Sequence, residues 1–203
     1  MKNNNFSTLR LNESHAEQLK IIWQQTHPDN LKSIIGERMV EKYLEMYLKD
    51  EKNQGFGLYD ANKLVGFVLF GAKNTIVKKL IREELFYIFK SFFSNLVKLN
   101  IKYLINYFNI FFFLLISMRL EDKLKKENVE LLIISIKQSK QGSGLGSFLI
   151  KDVLRKNKTY FKNYKNIFVK TLKSTPQNII FYQKNNFNLL CNSFGRAYLL
   201  FKI

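Results

Sequence analysis

The stretch from Val129 to Leu154 restricts the fold more than any other part of the chain. Glu130-Leu131-Leu132-Ile133-Ile134-Ser135-Ile136 is too short for a buried helix and rich in β-branched residues, which predicts a strand. Gln141-Gly142-Ser143-Gly144-Leu145-Gly146 follows as a glycine-rich turn, and Phe148, Leu149, Val153 and Leu154 then recur at helical spacing. The first turn of a helix leaves backbone N–H groups without intrahelical partners, and together with the helix dipole they attract phosphate. Strand, anion loop and helix are therefore expected in that order.

Two well-known phosphate loops do not fit. A Walker loop requires Lys-Ser or Lys-Thr after its last glycine, whereas Gly146 is followed by Ser147-Phe148. A dinucleotide fingerprint would need a glycine or alanine at Ser147 and an acidic residue about twenty positions on, and neither is present. The spacing that does occur is Gln-x-x-Gly-x-Gly, at Gln141, Gly144 and Gly146. Behind Val129-Glu130-Leu131-Leu132, it resembles the acyl-CoA pyrophosphate loop of the GNAT superfamily of N-acyltransferases. Asn178-Ile179-Ile180-Phe181-Tyr182-Gln183-Lys184-Asn185-Asn186-Phe187 is similar to that family's other signature, a helix carrying a Tyr and ending at a Gly-Phe pair. Asn186 stands in place of the glycine, and Asn is the other residue that tolerates a left-handed helix cap. Thr175 stands where the family commonly has Asn.

The resemblance covers residues 6–71 weakly and 128–190 well. It implies a single domain over residues 1–203 with a mixed, mostly antiparallel central sheet and flanking helices, in which two parallel strands, near 130–136 and 166–172, splay apart. It implies acetyl-CoA as co-substrate, with no metal. Backbone groups of Ile134, Ser135 and Ile136 would pair with the pantetheine arm, and Gln141, Gly142, Ser143, Gly144, Leu145, Gly146 and Ser147 would hold the pyrophosphate. Tyr182 matches the family's general acid for the departing thiolate; its other reading is a core Tyr with its hydroxyl at the surface. Glu130 sits where many members hold a base, and a carboxylate entering an apolar strand tends to have a raised pKa. A solvated Glu at a strand start is the alternative. His27, Ser33 and Gly36 fall in the segment that borders the family's acceptor pocket.

The rest of the chain is consistent with this frame. Ser7–Leu11 alternates as a first strand, Asn12 or Ser14 can cap a following helix, and Pro28 disfavours helical geometry at His27. Gly36–Leu48 predicts a second helix, and Gly55–Tyr59 and Leu64–Phe70 two strands turned at Asp60–Lys63. Lys165–Leu172 predicts the second parallel strand, Thr175-Pro176 the start of the Tyr182 helix, and Phe187–Asn192 and Ala197–Ile203 a closing antiparallel pair. His15 and His27 have no companion ligands for zinc, and the single Cys191 excludes an intramolecular disulfide. The first five residues are polar with no apolar segment behind them, so a cytoplasmic protein is expected.

Residues 72–127 lie outside the resemblance. Val77, Leu80, Ile81, Leu85, Ile88, Phe89, Phe92 and Leu96 trace one helical stripe, and Ile101, Leu104, Ile105, Phe108, Phe111, Phe112 and Leu115 another, which predicts a helical hairpin inserted in the domain. Ile110–Ile116 is far shorter than the roughly twenty apolar residues of a membrane span. The chain carries +17 overall; residues 1–71 are balanced, while residues 72–126 carry +7 and residues 137–170 carry +8. Such a charge attracts coenzyme A, a nucleotide sugar or an anionic membrane, or simply fills solvated faces. An aromatic, basic hairpin packs on its own domain or a second subunit, giving a homodimer, or lies peripherally on an anionic membrane surface.

Long helical elaborations of this kind resemble GNAT members from bacterial surface-polysaccharide loci, which act on nucleotide-linked amino sugars. The small-molecule acceptor implied is thus an amino sugar first and a protein or peptide amine second. A non-catalytic CoA-binding or membrane-surface module is the reading from a different class. No nucleic-acid partner is expected.

Overall fold

The structure is a computed structural model that describes residues 6–26, 36–71, 75–84, 86, 90, 127–193 and 195–203. Its centre is a seven-stranded sheet in the order β1-β2-β3-β4-β5-β7-β6. The strands are β1 (Phe6–Arg10), β2 (Gln54–Asp60), β3 (Lys63–Gly71), β4 (Asn128–Ile136), β5 (Asn166–Leu172), β6 (Asn188–Ser193) and β7 (Arg196–Lys202). Every neighbouring pair is antiparallel except β4 and β5. The mostly antiparallel mixed sheet expected from sequence is therefore present, with each predicted strand within two residues of its place.

The helices form two layers. On one face lie α1 (Ala16–Thr26), α2 (Gly36–Lys49) and α3 (Thr75–Glu83); on the other lie α4 (Leu145–Lys156), the single turn α5 (Lys158–Phe161) and α6 (Pro176–Lys184). Periodicity explains which side chains they bury. In α2, Met39, Val40, Leu44 and Tyr47 are all nearly inaccessible, and Val40, Leu44 and Tyr47, on one stripe, pack with Leu19 and Ile22 of α1 against Leu64, Phe67 and Leu69 of β3. The opposite face of the same strands supplies Phe56, Val68, Phe70, Val129 and Leu131, which meet Leu149, Ile150 and Val153 of α4.

Local chemistry sets the ends of several elements. Asn12 opens a short 3-10 turn, Glu13–His15, that leads into α1, so the expected cap acts one turn earlier than a direct helix start. Ala61 takes φ 53° in the β2–β3 turn. Pro176 occupies the first turn of α6, where its missing N–H costs nothing. Asn186 adopts φ 65° just beyond α6, the left-handed cap expected of it.

Of the predicted insertion, the described part is its beginning. α3 follows β3, which ends at Gly71, and Ile76, Leu80 and, just past the helix, Glu84 are buried at helical spacing. Leu80 belongs to the stripe read from sequence, Ile76 and Glu84 were not part of it, and Phe86 is exposed; the side chains of Val77, Ile81 and Leu85 lie outside the described residues. Lys42 of α2 lies 2.6 Å from Oε1 of Glu84 and 3.5 Å from Oε2 of Glu83, so α3 is fastened to α2. The second stripe and the break between the two lie outside the described residues. Among the described residues, no helix is long and apolar enough to cross a membrane.

Candidate active site

The site is built on an interruption in the sheet. β4 and β5 pair only at Asn128–Asn166, Val129–Ile167 and Glu130–Phe168, although β4 continues to Ile136 and β5 to Leu172. Along β3, Leu69 pairs with Ile133 and Phe70 with Leu131, so Leu132 is an extra residue in β4. A bulge of this kind bends its strand and increases local twist. β4 thus stays with β3 and turns away from β5, and an opening begins beyond Glu130. A bond from Nδ2 of Asn166 to Oδ1 of Asn128, at 2.8 Å, ties the closed end.

Ile134, Ser135 and Ile136 form the β4 wall of that opening. Thr26 at the end of α1 donates to Oγ of Ser135 at 3.2 Å, fastening the wall to α1. The chain then runs through Lys137, whose N–H donates to Val65 O, and a 3-10 turn into the glycine loop. Gln141 anchors the loop by donating from Nε2 to Ile136 O at 2.9 Å, and Ser143 donates to Lys140 O at 2.5 Å. Lys140 in turn pairs with Asp60 at 2.9 Å.

The glycines have two different reasons to be there. Gly142 at φ 75° and Gly144 at φ 81° hold left-handed conformations, and a Cβ at either would meet nothing within 4 Å. Backbone conformation, and room in front of it, are what these positions need. A Cβ at Gly146 would come within 3.1 Å of the Phe181 ring, so this glycine lets α4 approach α6. Phe148 N–H to Gly144 O at 3.0 Å is the first intrahelical bond, leaving the amides of Leu145, Gly146 and Ser147 at the helix start without intrahelical acceptors. The open space, the left-handed glycines and these donors suit the diphosphate of a coenzyme, and the adjacent opening suits an extended arm.

Tyr182 and Glu130 belong to opposite faces of the sheet. Tyr182 lies in the α4–α6 layer, its ring against Phe181 and Phe187, and burial raises its phenol well above the ordinary value. No hydrogen bond to its hydroxyl comes from the described residues. Glu130, flanked along β4 by Val129 and Leu131 of that layer, must point to the α1–α2 side. It is buried there rather than solvated, 3.0 Å from Nζ of Lys170. Tyr43 of α2 senses it: burial, then the field of Glu130, raises that phenol.

Gly36 is the first residue of α2, while His27 and Ser33 lie outside the described residues. Lys170 was not singled out from sequence, although it is the one charge in the strand Asn166–Leu172. Asn185 was also missed; its Nδ2 donates to Ser147 Oγ at 3.0 Å and to Phe181 O at 2.8 Å, joining the start of α4 to the end of α6. Among the described residues, no group of three His, Cys, Asp or Glu side chains is placed as metal ligands would be.

No protein-family model matches the chain, and no curated protein matches it in sequence. Solved structures do match its shape. An acetyltransferase from Thermus thermophilus superposes with TM-score 0.59 at 12% identity, over 98% of this chain and 97% of that one. A GNAT family acetyltransferase from Elizabethkingia anophelis with acetyl-CoA bound gives 0.55 at 14% identity over the whole of both chains. A spermidine N-acetyltransferase from Vibrio cholerae gives 0.57 at 14% identity, over 98% and 95%. The chain has the GNAT fold. At such identities it is the architecture that is shared.

Proposed function

We propose that the protein is an N-acetyltransferase that moves an acetyl group from acetyl-CoA to a primary amine. The observation that carries this is the juncture itself: a strand pair that opens beside a glycine-shaped helix start, with a buried carboxylate at the point where the strands part. In this reading the loop from Gln141 to Ser147 holds the pyrophosphate, and Ile134 to Ile136 line the path of the pantetheine. The amine nitrogen bonds to the acetyl carbon as the carbon–sulfur bond breaks. Glu130 receives the amine proton, and Tyr182 gives its own to the thiolate, a role suited to a phenol kept protonated by burial.

An amino sugar, free or nucleotide-linked, is the acceptor we place first, supported by the resemblance of the insertion to elaborated members of polysaccharide loci. A protein or peptide amine comes second. A polyamine joins the test because one fold neighbour is a spermidine N-acetyltransferase. The deciding experiment incubates the protein with acetyl-CoA and each acceptor class and measures thiol release. Release above the acceptor-free rate with one class supports the reading. Binding of acetyl-CoA with no release for any amine would favour the non-catalytic module.

The insertion is assigned to acceptor selection or docking. The strand before it ends at Gly71, directly opposite Glu130, and its first helix is fastened to α2 through Lys42. Replacing residues 91–124 by a short Gly-containing linker keeps those ion pairs. Acetyl-CoA affinity is then expected to stay within a few-fold while turnover of the true acceptor is lost; turnover kept would refute the assignment. A cytoplasmic protein peripheral to the membrane is one form of docking, and it predicts flotation with anionic liposomes that weakens as salt rises. A homodimer through the same segment is the other, read by sedimentation.

A further inference from the structure

One charged group at the opening has no part in the reaction as written. Lys170 is 16% exposed and Glu130 2%, and Nζ to Oε1 is 3.0 Å. The two belong to different strands. Glu130 is the last residue of β4 to pair with β5, opposite Phe168, and Lys170 stands two residues further along β5, on the same face, where the strands have already parted. Its side chain therefore reaches back across the mouth of the opening.

A buried carboxylate without a cation takes up a proton, whereas a cation at this distance favours the charged form. Lys170 supplies such a cation at 3.0 Å. Tyr43 faces Glu130 from α2 as a neutral phenol, and β3 places Gly71 opposite. On α1, Lys20 is 2.5 Å from Glu41 of α2 and Glu17 is exposed. On the α3 side, Glu83 and Glu84 are paired with Lys42.

We propose that Lys170 is the positioning residue of this site: its ammonium keeps Glu130 a carboxylate inside the opening and holds it where an amine would enter. This rests on the reading of Glu130 as the base in acetyl transfer. When the carbon–nitrogen bond forms, one proton passes from nitrogen to Glu130, and Lys170 keeps its three protons throughout. The pair therefore goes from neutral to a single positive charge, which solvent later removes as a proton.

The test follows the Glu130 carboxyl directly, by 13C NMR of the full-length, ligand-free protein labelled at glutamate, with Glu130→Gln to assign the resonance. Lys170→Met should raise its titration midpoint by at least about one pH unit, and Lys170→Arg should hold it near the parent value. An unmoved midpoint in Lys170→Met overturns the proposal. Should that variant fail to fold, the double variant Lys170→Met with Glu130→Gln is expected to fold, because the stranded charge is gone. Failure of both would show that the lysine serves the fold for another reason, and would also overturn it. With acetyl-CoA and the amine taken in the acceptor screen, the acid limb of the kcat/KM profile should move with the NMR midpoint. A parent that acetylates no amine while the midpoint moves as expected would sink the acetyl-transfer reading alone.

Discussion

The two halves of the sheet are built differently, and the difference locates the site. From β1 to β4 the strands pair antiparallel along most of their length and are covered by helices on both faces. From β5 to β7 and β6 they form a second antiparallel block, whose outer strand β6 exposes Leu189, Leu190 and Cys191. Between the blocks stand three parallel residue pairs, the hydrogen bond from Asn166 to Asn128, and the ion pairs of Lys165 with Glu127 and of Lys170 with Glu130. Backbone groups that lack a strand partner need another, and an extended ligand arm beside β4 could supply it. A continuous sheet has no such vacancy, so the seam is where chemistry can be placed between two rigid blocks.

The sharpest way to break this comparison is to remove the hydroxyl that the proposed reaction assigns to the thiolate. Tyr182→Phe is expected to lower kcat about a hundredfold to ten-thousandfold while acetyl-CoA affinity, read by calorimetry, stays nearly unchanged. A Phe variant within about twofold of the parent would make the hydroxyl structural.

Next in size is the loop that the first block presents to the seam. Gly144→Val forces a β-branched residue to φ 81°, at a cost of about 1–2 kcal/mol, but strikes no neighbour. The protein should fold with a modestly lower Tm and bind acetyl-CoA at least about tenfold more weakly. Unchanged affinity in the folded variant would remove the loop from the site.

Within the first block, α4 is latched to β1. Thr8 donates to Asp152 at 2.6 Å, and Arg155 and Lys156 lie 2.7 and 2.8 Å from the same carboxylate. Burial alone would push this carboxyl up, but these bonds outweigh it and hold it down at about 2. Because the folded value lies below the unfolded value of about 3.9, the latch contributes fully above that pH and is lost as pH falls toward about 2. Asp152→Asn should therefore cost about 1–2 kcal/mol at pH 7 in urea unfolding, about half of that at pH 3 and little near pH 2. An equal loss at pH 7 and pH 2 would mean that the charge is not what stabilises the contact.

The smallest effect is expected at the closed end of the seam. Asn166→Ala removes the bond to Asn128 and should cost about 1 kcal/mol. If the blocks meet as weakly as their pairing suggests, hydrogen exchange in this variant should rise in β5 before it rises in β3.

Much of this was legible in the sequence where the physics is local. The glycine turn required left-handed backbone, and Gly142 and Gly144 have it; Asn186 in a glycine's place announced the same conformation beyond α6. Alternation located the strands, and the helical spacing of Gly36–Leu48 located α2. What escaped depended on strands distant in the chain. Nothing in Asn166–Leu172 alone says that Lys170 will face Glu130, since that requires the parallel pairing and its abrupt end. The extra residue Leu132 is invisible in an unbroken apolar run, and Thr8 and Asp152 are 144 residues apart.

The contact between Gly146 and Phe181 bears on how such a loop can change over evolutionary time. Gly142 and Gly144 answer to backbone geometry that no neighbour can alter, so they are constrained singly. Gly146 answers to a ring on the helix that carries Tyr182, and a larger residue there becomes tolerable once position 181 shrinks. The two positions should drift as a correlated pair, each step at one requiring the complementary step at the other. A lineage that swaps glycine and aromatic across this contact would keep the left-handed glycine loop while shifting the helix that carries Tyr182.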